Sequence, residues 1–316
     1  MPDIVLQTEN LTKRYGTLTA VKNLSLEVHE GEVLGFLGPN GAGKTTSINM
    51  MCGLLKPDAG RVLVHGVPVN SGDTDRRARV GVCPQNIVLW KTLTCLEQLE
   101  FIGEMYGVPR QAARRRGEML LETIGLADKR DKLARTLSGG MQRRLNLIMA
   151  LVHDPDILVL DEPEAGLDPQ SRVLVREYVK SLSHQASAGR PKTIILTTHN
   201  MDEADRMTDR VAIIDHGQLL VVDTPGELKR TVGEGDVLEI DVNGAITECA
   251  MAAVASITQV STTNHTLIIR ARGIVEMLPA ILDALRGADA HPGEVRLRAN
   301  TLEDVFISLT GRRLRE

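Results

Sequence analysis

At 316 residues the chain is long enough for two domains and a sizeable core. Its net charge of −4 gives no pull toward nucleic acid, and one Trp, three Tyr and three Phe leave few platforms for base stacking. Cys52, Cys83, Cys95 and Cys249 show no paired or metal-type spacing, so reduced and inert thiols are expected. No stretch approaches the ~18 apolar residues of a membrane span, and the first residues lack a signal-peptide profile. A soluble, cytosolic chain is expected, with any membrane contact made through a partner.

The first strong signal is the apolar run at 33–37, a pattern for a buried strand, which leads directly into Gly38-Pro39-Asn40-Gly41-Ala42-Gly43-Lys44-Thr45. Thr46 and the residues up to Met51 carry no Gly or Pro and predict a helix. Strand, glycine loop and helix in this order form a phosphate cradle, with consecutive N–H groups and a helix N-terminus facing an anion. In that cradle Lys44 is placed for the β- and γ-phosphates of a nucleotide and the Thr45 hydroxyl for Mg²⁺.

Residues 86–136 predict mostly helices. Over 94–107, Leu96, Leu99, Phe101, Ile102 and Met105 recur at helical spacing, and over 109–125 Met119, Leu120, Leu121 and Ile124 do the same. Arg114-Arg115-Arg116 suits a solvated helix face. The apolar Ile87-Val88-Leu89-Trp90 suits either core packing or an interface. Ser138-Gly139-Gly140 then opens another helical pattern, and a Ser cap with two glycines makes a second anion-binding helix end.

Two further buried-strand patterns end in polar residues. Residues 157–160 lead into Asp161-Glu162, where adjacent side chains diverge and can divide two tasks. Asp161 is placed to hold Mg²⁺ and Glu162 to act as general base on a water. Residues 192–198 lead into His199, at the strand end where open α/β sheets put their ligands. Beyond 224–236, rich in Gly and charge, come strands at 237–242, 257–261, 266–271 and 294–298 and helices at 245–255 and 274–285. This βαββαβ order predicts a small ferredoxin-like domain.

With Tyr15, the glycine loop, Gln85, Leu137-Ser138-Gly139-Gly140-Met141-Gln142, Asp161-Glu162-Pro163, Gly166-Leu167-Asp168 and His199 in order, the chain resembles the ATP-binding-cassette (ABC) ATPases over roughly 3–226. Its tail from Asn300 to Arg312 resembles that of the daunorubicin-resistance and nodulation-type export subgroup. The resemblance implies an α/β fold: a P-loop NTPase cassette with RecA-like core, antiparallel β subdomain and helical signature subdomain (about 86–150). The cassette would occupy 1–226 and a C-terminal α+β ferredoxin-like accessory or regulatory domain 236–316. It implies that Tyr15 stacks on adenine and that Gln85 senses Mg²⁺ and the γ-phosphate. Ser138, Gly139 and Gly140 would bind ATP held by a second subunit, Asp168 would link the two sites, and His199 would act as a switch. It further implies a homodimer of cassettes on a transmembrane permease, peripheral to the inner face of the cell membrane, with Ile87–Trp90 meeting the permease. The leading reading is an exporter ATPase. A soluble cassette acting on translation or DNA and an ATP-sensing module are the alternatives.

One residue departs from the family pattern. Glu164 stands where Thr or Ser is usual, placing a further carboxylate two residues from Glu162. It is expected to point away, and retuned turnover is the competing expectation.

Overall fold

The computed structural model describes residues 3–69, 79–184, 191–232, 236–243, 252, 254, 259–263, 266–271 and 273–311. Strands β1 (Ile4–Tyr15), β2 (Leu18–His29), β4 (Ala59–Val64) and β5 (Val67–Pro68) form an antiparallel sheet in the order β2-β1-β4-β5. A second sheet holds β3 (Val33–Leu37), β6 (Val80–Cys83), β7 (Ile157–Asp161), β8 (Thr193–Thr198), β9 (Arg210–Asp215) and β10 (Gln218–Asp223). Its order is β10-β9-β3-β8-β7-β6, parallel except for the β9–β10 hairpin.

The continuous apolar runs of β3, β7 and β8 reflect burial on both faces of this parallel sheet. Because successive side chains alternate, Val33, Leu158, Leu160 and Leu196 pack into one core with the helices. Leu34, Phe36, Val159 and Ile195 pack into the other, against the antiparallel sheet. Both cores press on the strands whose carboxyl ends carry the candidate site, so the site is built on rigid elements.

The expected helices flank the first core: α2 (Cys95–Met105), α3 (Arg110–Thr123) and α4 (Gly139–Met149). Thr94 starts α2 with a capping box, accepting from the Glu97 N–H while the Glu97 side chain accepts from its own. Phe101, Met105 and Met119 have helical spacing but lie exposed, so the apolar stripe is wider than the face that is buried. Arg114 and Arg115 are exposed, as a solvated face requires, and Arg114 pairs with Glu100 and Arg116 with Asp154. Cys52, Cys83 and Cys95 are free and buried, while Cys249 lies outside the described residues.

The chain divides into two compact units, essentially Met1–Thr224 and Pro225–Leu314. The first also contains α5 (Pro169–His184) and α6 (Met201–Met207). The second opens with α7 (Pro225–Thr231) and contains β11 (Asp236–Asn243), β12 (Gln259–Thr263), β13 (Thr266–Ala271), α8 (Ile274–Gly287), β14 (His291–Arg298) and α9 (Leu302–Thr310). Its antiparallel sheet runs β12-β13-β11-β14, and Leu238, Ile240, Leu267 and Ile269 bury against Ile281 and Leu285 of α8. The strand expected at 257–261 runs two residues later, and the helix expected at 245–255 lies, apart from Ala252 and Val254, outside the described residues.

Candidate active site

Gly38 to Gly43 join β3 to α1 (Lys44–Met51). Two glycines have specific steric reasons to be glycine. A Cβ on Gly38 would lie 2.3 Å from the Ile214 carbonyl, and one on Gly43, at φ 96°, would lie 2.4 Å from the Ala20 carbonyl. Neighbouring backbone therefore presses the loop from both sides and fixes its curl. The Lys44 ammonium is buried inside it and donates to the carbonyls of Gly38 (2.7 Å) and Pro39 (3.0 Å). Burial lowers its pKa, while the negative charges of Glu162 and Asp161 act in the opposite direction.

A cleft of about 310 Å³ opens over this loop. Tyr15, Leu18, Ala20, Asn40, Gly41, Gly43, Lys44, Thr45, Thr46, Gln85, Asp161 and Glu162 line it. Tyr15, at the end of β1, is half exposed with the Lys13 ammonium 5.9 Å from its ring centroid.

Asp161 ends β7 and Glu162 follows it in the left-handed region, φ 49°, unusual for a residue with a side chain. That turn separates the two carboxylates. The Asp161 carboxylate accepts from the Thr197 hydroxyl, and the Thr197 carbonyl and hydroxyl both accept from the Glu162 N–H (3.1 and 3.0 Å). The Glu162 carboxylate is held at both oxygens, by Gln85 Nε2 at 2.9 Å and by His199 Nδ1 at 2.8 Å. Gln85, Glu162 and His199, far apart in sequence, thus form one hydrogen-bonded constellation beside the loop.

Ser138 caps α4 by accepting from the Met141 N–H at 3.3 Å. A Cβ on Gly140 would approach the Ser171 hydroxyl oxygen to 2.9 Å, so this helix end sits against the start of α5. There Asp168 accepts from the Ser171 N–H and hydroxyl, which holds its carboxyl below the ordinary range. Ser138, Gly139 and Asp168 are solvent-exposed and do not line the cleft of their own chain.

Several residues here carried no signal in the sequence reading. Arg143 is buried on α4 and binds the main chain on both sides of the site. Thr197 looked like one more residue of an apolar strand. Glu203 on α6 accepts from the Thr198 hydroxyl, and burial raises its pKa to about 7, with the Glu164 and Glu162 charges adding to the rise. Glu164, expected to point away, is buried, and both its oxygens accept from Arg176, at 3.0 and 2.9 Å.

The donor set can also be tested against a cation. Thr45, Asp161 and Gln85 offer only oxygen ligands, which suits a hard divalent ion. Among the described residues no group of three or more His, Cys, Asp or Glu could hold a metal by itself. Such a sparse set fits Mg²⁺, which keeps several waters and shares its site with substrate phosphates.

A glycine-cradled lysine, a carboxylate pair at a strand end and a histidine just past the end of the next strand define a phosphate-loop nucleotide-hydrolysing domain. Residues 21–165 match the family model described as ABC transporter. The chain is 37% identical over 317 residues to the linearmycin resistance ATP-binding protein LnrL of Bacillus subtilis, covering 99% of this chain and 100% of that protein. It is 41% identical to the Nod factor export ATP-binding protein I of Ralstonia nicotianae, covering 99% of this chain and 95% of that one. It is 38% identical to the daunorubicin/doxorubicin resistance ATP-binding protein DrrA of Streptomyces peucetius, over 98% and 93%. Among solved structures, an ATP-binding subunit of an ABC transporter superposes with a TM-score of 0.65 at 26% identity, over 72% of this chain and 92% of that one. A dimeric bacterial ABC transporter cassette superposes at 0.63 and 27%, over 69% and 98%. The chain belongs to the ABC transporter family, as an ATP-hydrolysing cassette subunit.

Proposed function

We propose that this cassette energises an exporter: two copies close around two ATP molecules, and hydrolysis reopens them to drive a membrane permease. The observation that carries the catalytic part is the Gln85–Glu162–His199 constellation beside the glycine loop. The loop N–H groups and the α1 N-terminus bind the phosphates. Lys44 exchanges its bonds to the Gly38 and Pro39 carbonyls for the β- and γ-phosphate oxygens. Tyr15 stacks on the adenine.

Thr45, Asp161 and Gln85 would hold Mg²⁺, which supplies charge neutralisation on the phosphates. Gln85 donates to Glu162 through Nε2, so its Oε1 is the atom available to a cation. Glu162 orients the attacking water and accepts its proton. His199 holds Glu162 through Nδ1, leaving Nε2 for the γ-phosphate.

Ser138, Gly139 and Gly140 act in trans on ATP bound by the second copy, and Asp168 transmits between the sites. The exposure of Ser138, Gly139 and Asp168 outside their own chain's cleft supports this reading. A homodimer is the simplest assembly for a chain with one glycine loop and one signature. The permease would dock on Ile87, Val88 and Trp90, an exposed apolar stretch that follows Gln85 directly. Trp90 meets Phe101 edge to face at 5.0 Å, widening that patch. The chain would then work on the cytoplasmic face of the membrane. Among the described residues no helix is long and apolar enough to cross it. The names of the relatives, concerned with drug resistance and Nod factor export, support export as the direction. The second unit, 225–314, serves as an accessory or regulatory module.

Ser138→Arg tests the trans site. It should abolish ATP-dependent dimerisation and turnover while nucleotide binding to the single chain stays within about threefold. Full turnover in this variant would reject the reading.

A further inference from the structure

Arg143 is 3% exposed, and its guanidinium makes five hydrogen bonds, every one to a main-chain carbonyl. Two go to the loop that carries Gln85: Pro84 at 2.6 Å and Gln85 itself at 2.9 Å. Three go to the turn that carries Glu162: Asp161 at 2.8 Å, Glu162 at 2.7 Å and Pro163 at 3.3 Å. A buried guanidinium is costly to desolvate, and here carbonyl dipoles from two separate segments stand in for a carboxylate. Its planar fork of donors is what allows one side chain to serve both segments, and a lysine ammonium has no such geometry.

The backbone it grips is unusual. Glu162 sits at φ 49°, a conformation that persists only where the surroundings over-determine it. Thr197 holds the Glu162 N–H from one side, and Arg143 holds the Glu162 carbonyl from the other. The third attachment of Arg143 is its own helix. It lies five residues after Ser138 on α4, whose first turn is fixed by the Ser138 cap and by the Gln142 N–H to Ser138 carbonyl bond at 2.8 Å. A displacement of Ser138–Gly140 therefore moves the guanidinium, and with it both the Gln85 loop and the Glu162 turn.

We propose that Arg143 is a positioning residue for hydrolysis. It carries the state of the signature turn to Gln85 and Glu162 of the same chain, making turnover at one ATP depend on nucleotide at the other. The coupling rests on the dimer reading above, in which the signature turn contacts the second copy's ATP. The positioning of Glu162 does not.

The test compares wild type, Arg143→Lys and Arg143→Met for ATPase rate against ATP concentration, nucleotide affinity and melting temperature. For Arg143→Lys the expected result is kcat lowered by about tenfold or more, with nucleotide affinity within about threefold. Its Hill coefficient should fall from above 1 in wild type, where two sites set the ceiling at about 2, to about 1. Wild-type kcat and Hill coefficient in Arg143→Lys would overturn the proposal. So would rate and affinity falling together with the melting temperature, since that is mere unfolding. A wild-type Hill coefficient of 1 would overturn the coupling; a chain that stays monomeric with ATP on size-exclusion chromatography would sink the dimer reading, and kcat in Arg143→Lys would still decide the positioning.

Hydrogen exchange on the unmodified chain keeps the proposal falsifiable if both variants fail to fold. A non-hydrolysable ATP analogue should protect the amides of 139–143, of Gln85 and of 161–162 in concert. Independent protection of these three segments would overturn it.

Discussion

Glu164 and Arg176 offer a sharp test of the electrostatics around the site, because the two partners are unequally buried. The Glu164 side chain is 8% exposed and that of Arg176 23%. Arg176→Met leaves a buried carboxylate unpaired near Glu162 and Glu203, and breaking a buried pair this way costs about 3 kcal/mol or more. Glu164→Thr leaves the guanidinium with partial access to water, so its cost should be about 1–2 kcal/mol. The double variant removes both charges and should return to within about 1 kcal/mol of wild type, as buried pairs often do when replaced together. Urea unfolding followed by Trp90 fluorescence reads these differences, since Trp90 is the single tryptophan and lies in the first unit. If Arg176→Met proves no more costly than Glu164→Thr, or the double variant costs the sum of the singles, the reasoning is wrong. The same variants carry a functional corollary. With its charge neutralised by Arg176, Glu164 should leave ATP turnover within about twofold when changed to Thr.

Two other predictions concern pH. Burial raises Glu203 to about 7 from its ordinary 4.5, so the folded state favours its neutral form. Its penalty therefore grows as pH rises from about 4.5 to 7 and is constant above, with a ceiling of roughly 3 kcal/mol at about 1.4 kcal/mol per pKa unit. Glu203→Gln should raise the melting temperature at pH 8 and do little at pH 4.5; a larger gain at the lower pH would contradict this. In the second unit, Asp304 accepts from Arg298, Arg270 and Thr301. Burial alone would raise its pKa, but the Arg298 and Thr301 hydrogen bonds prevail and hold it well below the ordinary 3.8. Its contribution is therefore present above about pH 4 and is lost as pH falls further. Asp304→Asn should cost about 2–3 kcal/mol at pH 7 by calorimetry, and the gap from wild type should narrow in acid. An unchanged gap at pH 3 would refute the assignment.

What the sequence made legible follows from how local each signal is. The glycine loop, the Ser138 cap and the strand-end carboxylates are contiguous patterns whose geometry is set within a few residues. Continuous apolar runs likewise announced β3, β7 and β8, because strands buried on both faces need no polar alternation. Arg143 and Thr197 were not legible, since each acts on segments distant in the chain. Arg143 reaches back 59 residues to Pro84. Thr197 reaches back 36 to Asp161. Glu164 was legible as an oddity, but its partner twelve residues on became visible only once α5 folded beside it. Boundaries in the second unit slipped because β13 is only partly buried, β14 is mostly exposed and the runs are short, so the periodicity there is weaker.

The most direct test of the account is ATP turnover by Glu162→Gln at saturating ATP and Mg²⁺, with nucleotide binding measured on the same protein. The amide keeps the shape of the Gln85–Glu162–His199 constellation but cannot accept the proton. Turnover should fall by about a hundredfold or more, at the size of a lost general base, while ATP affinity stays within about threefold. Turnover near the wild-type rate, with binding intact, would show that Glu162 is not the group that activates the water.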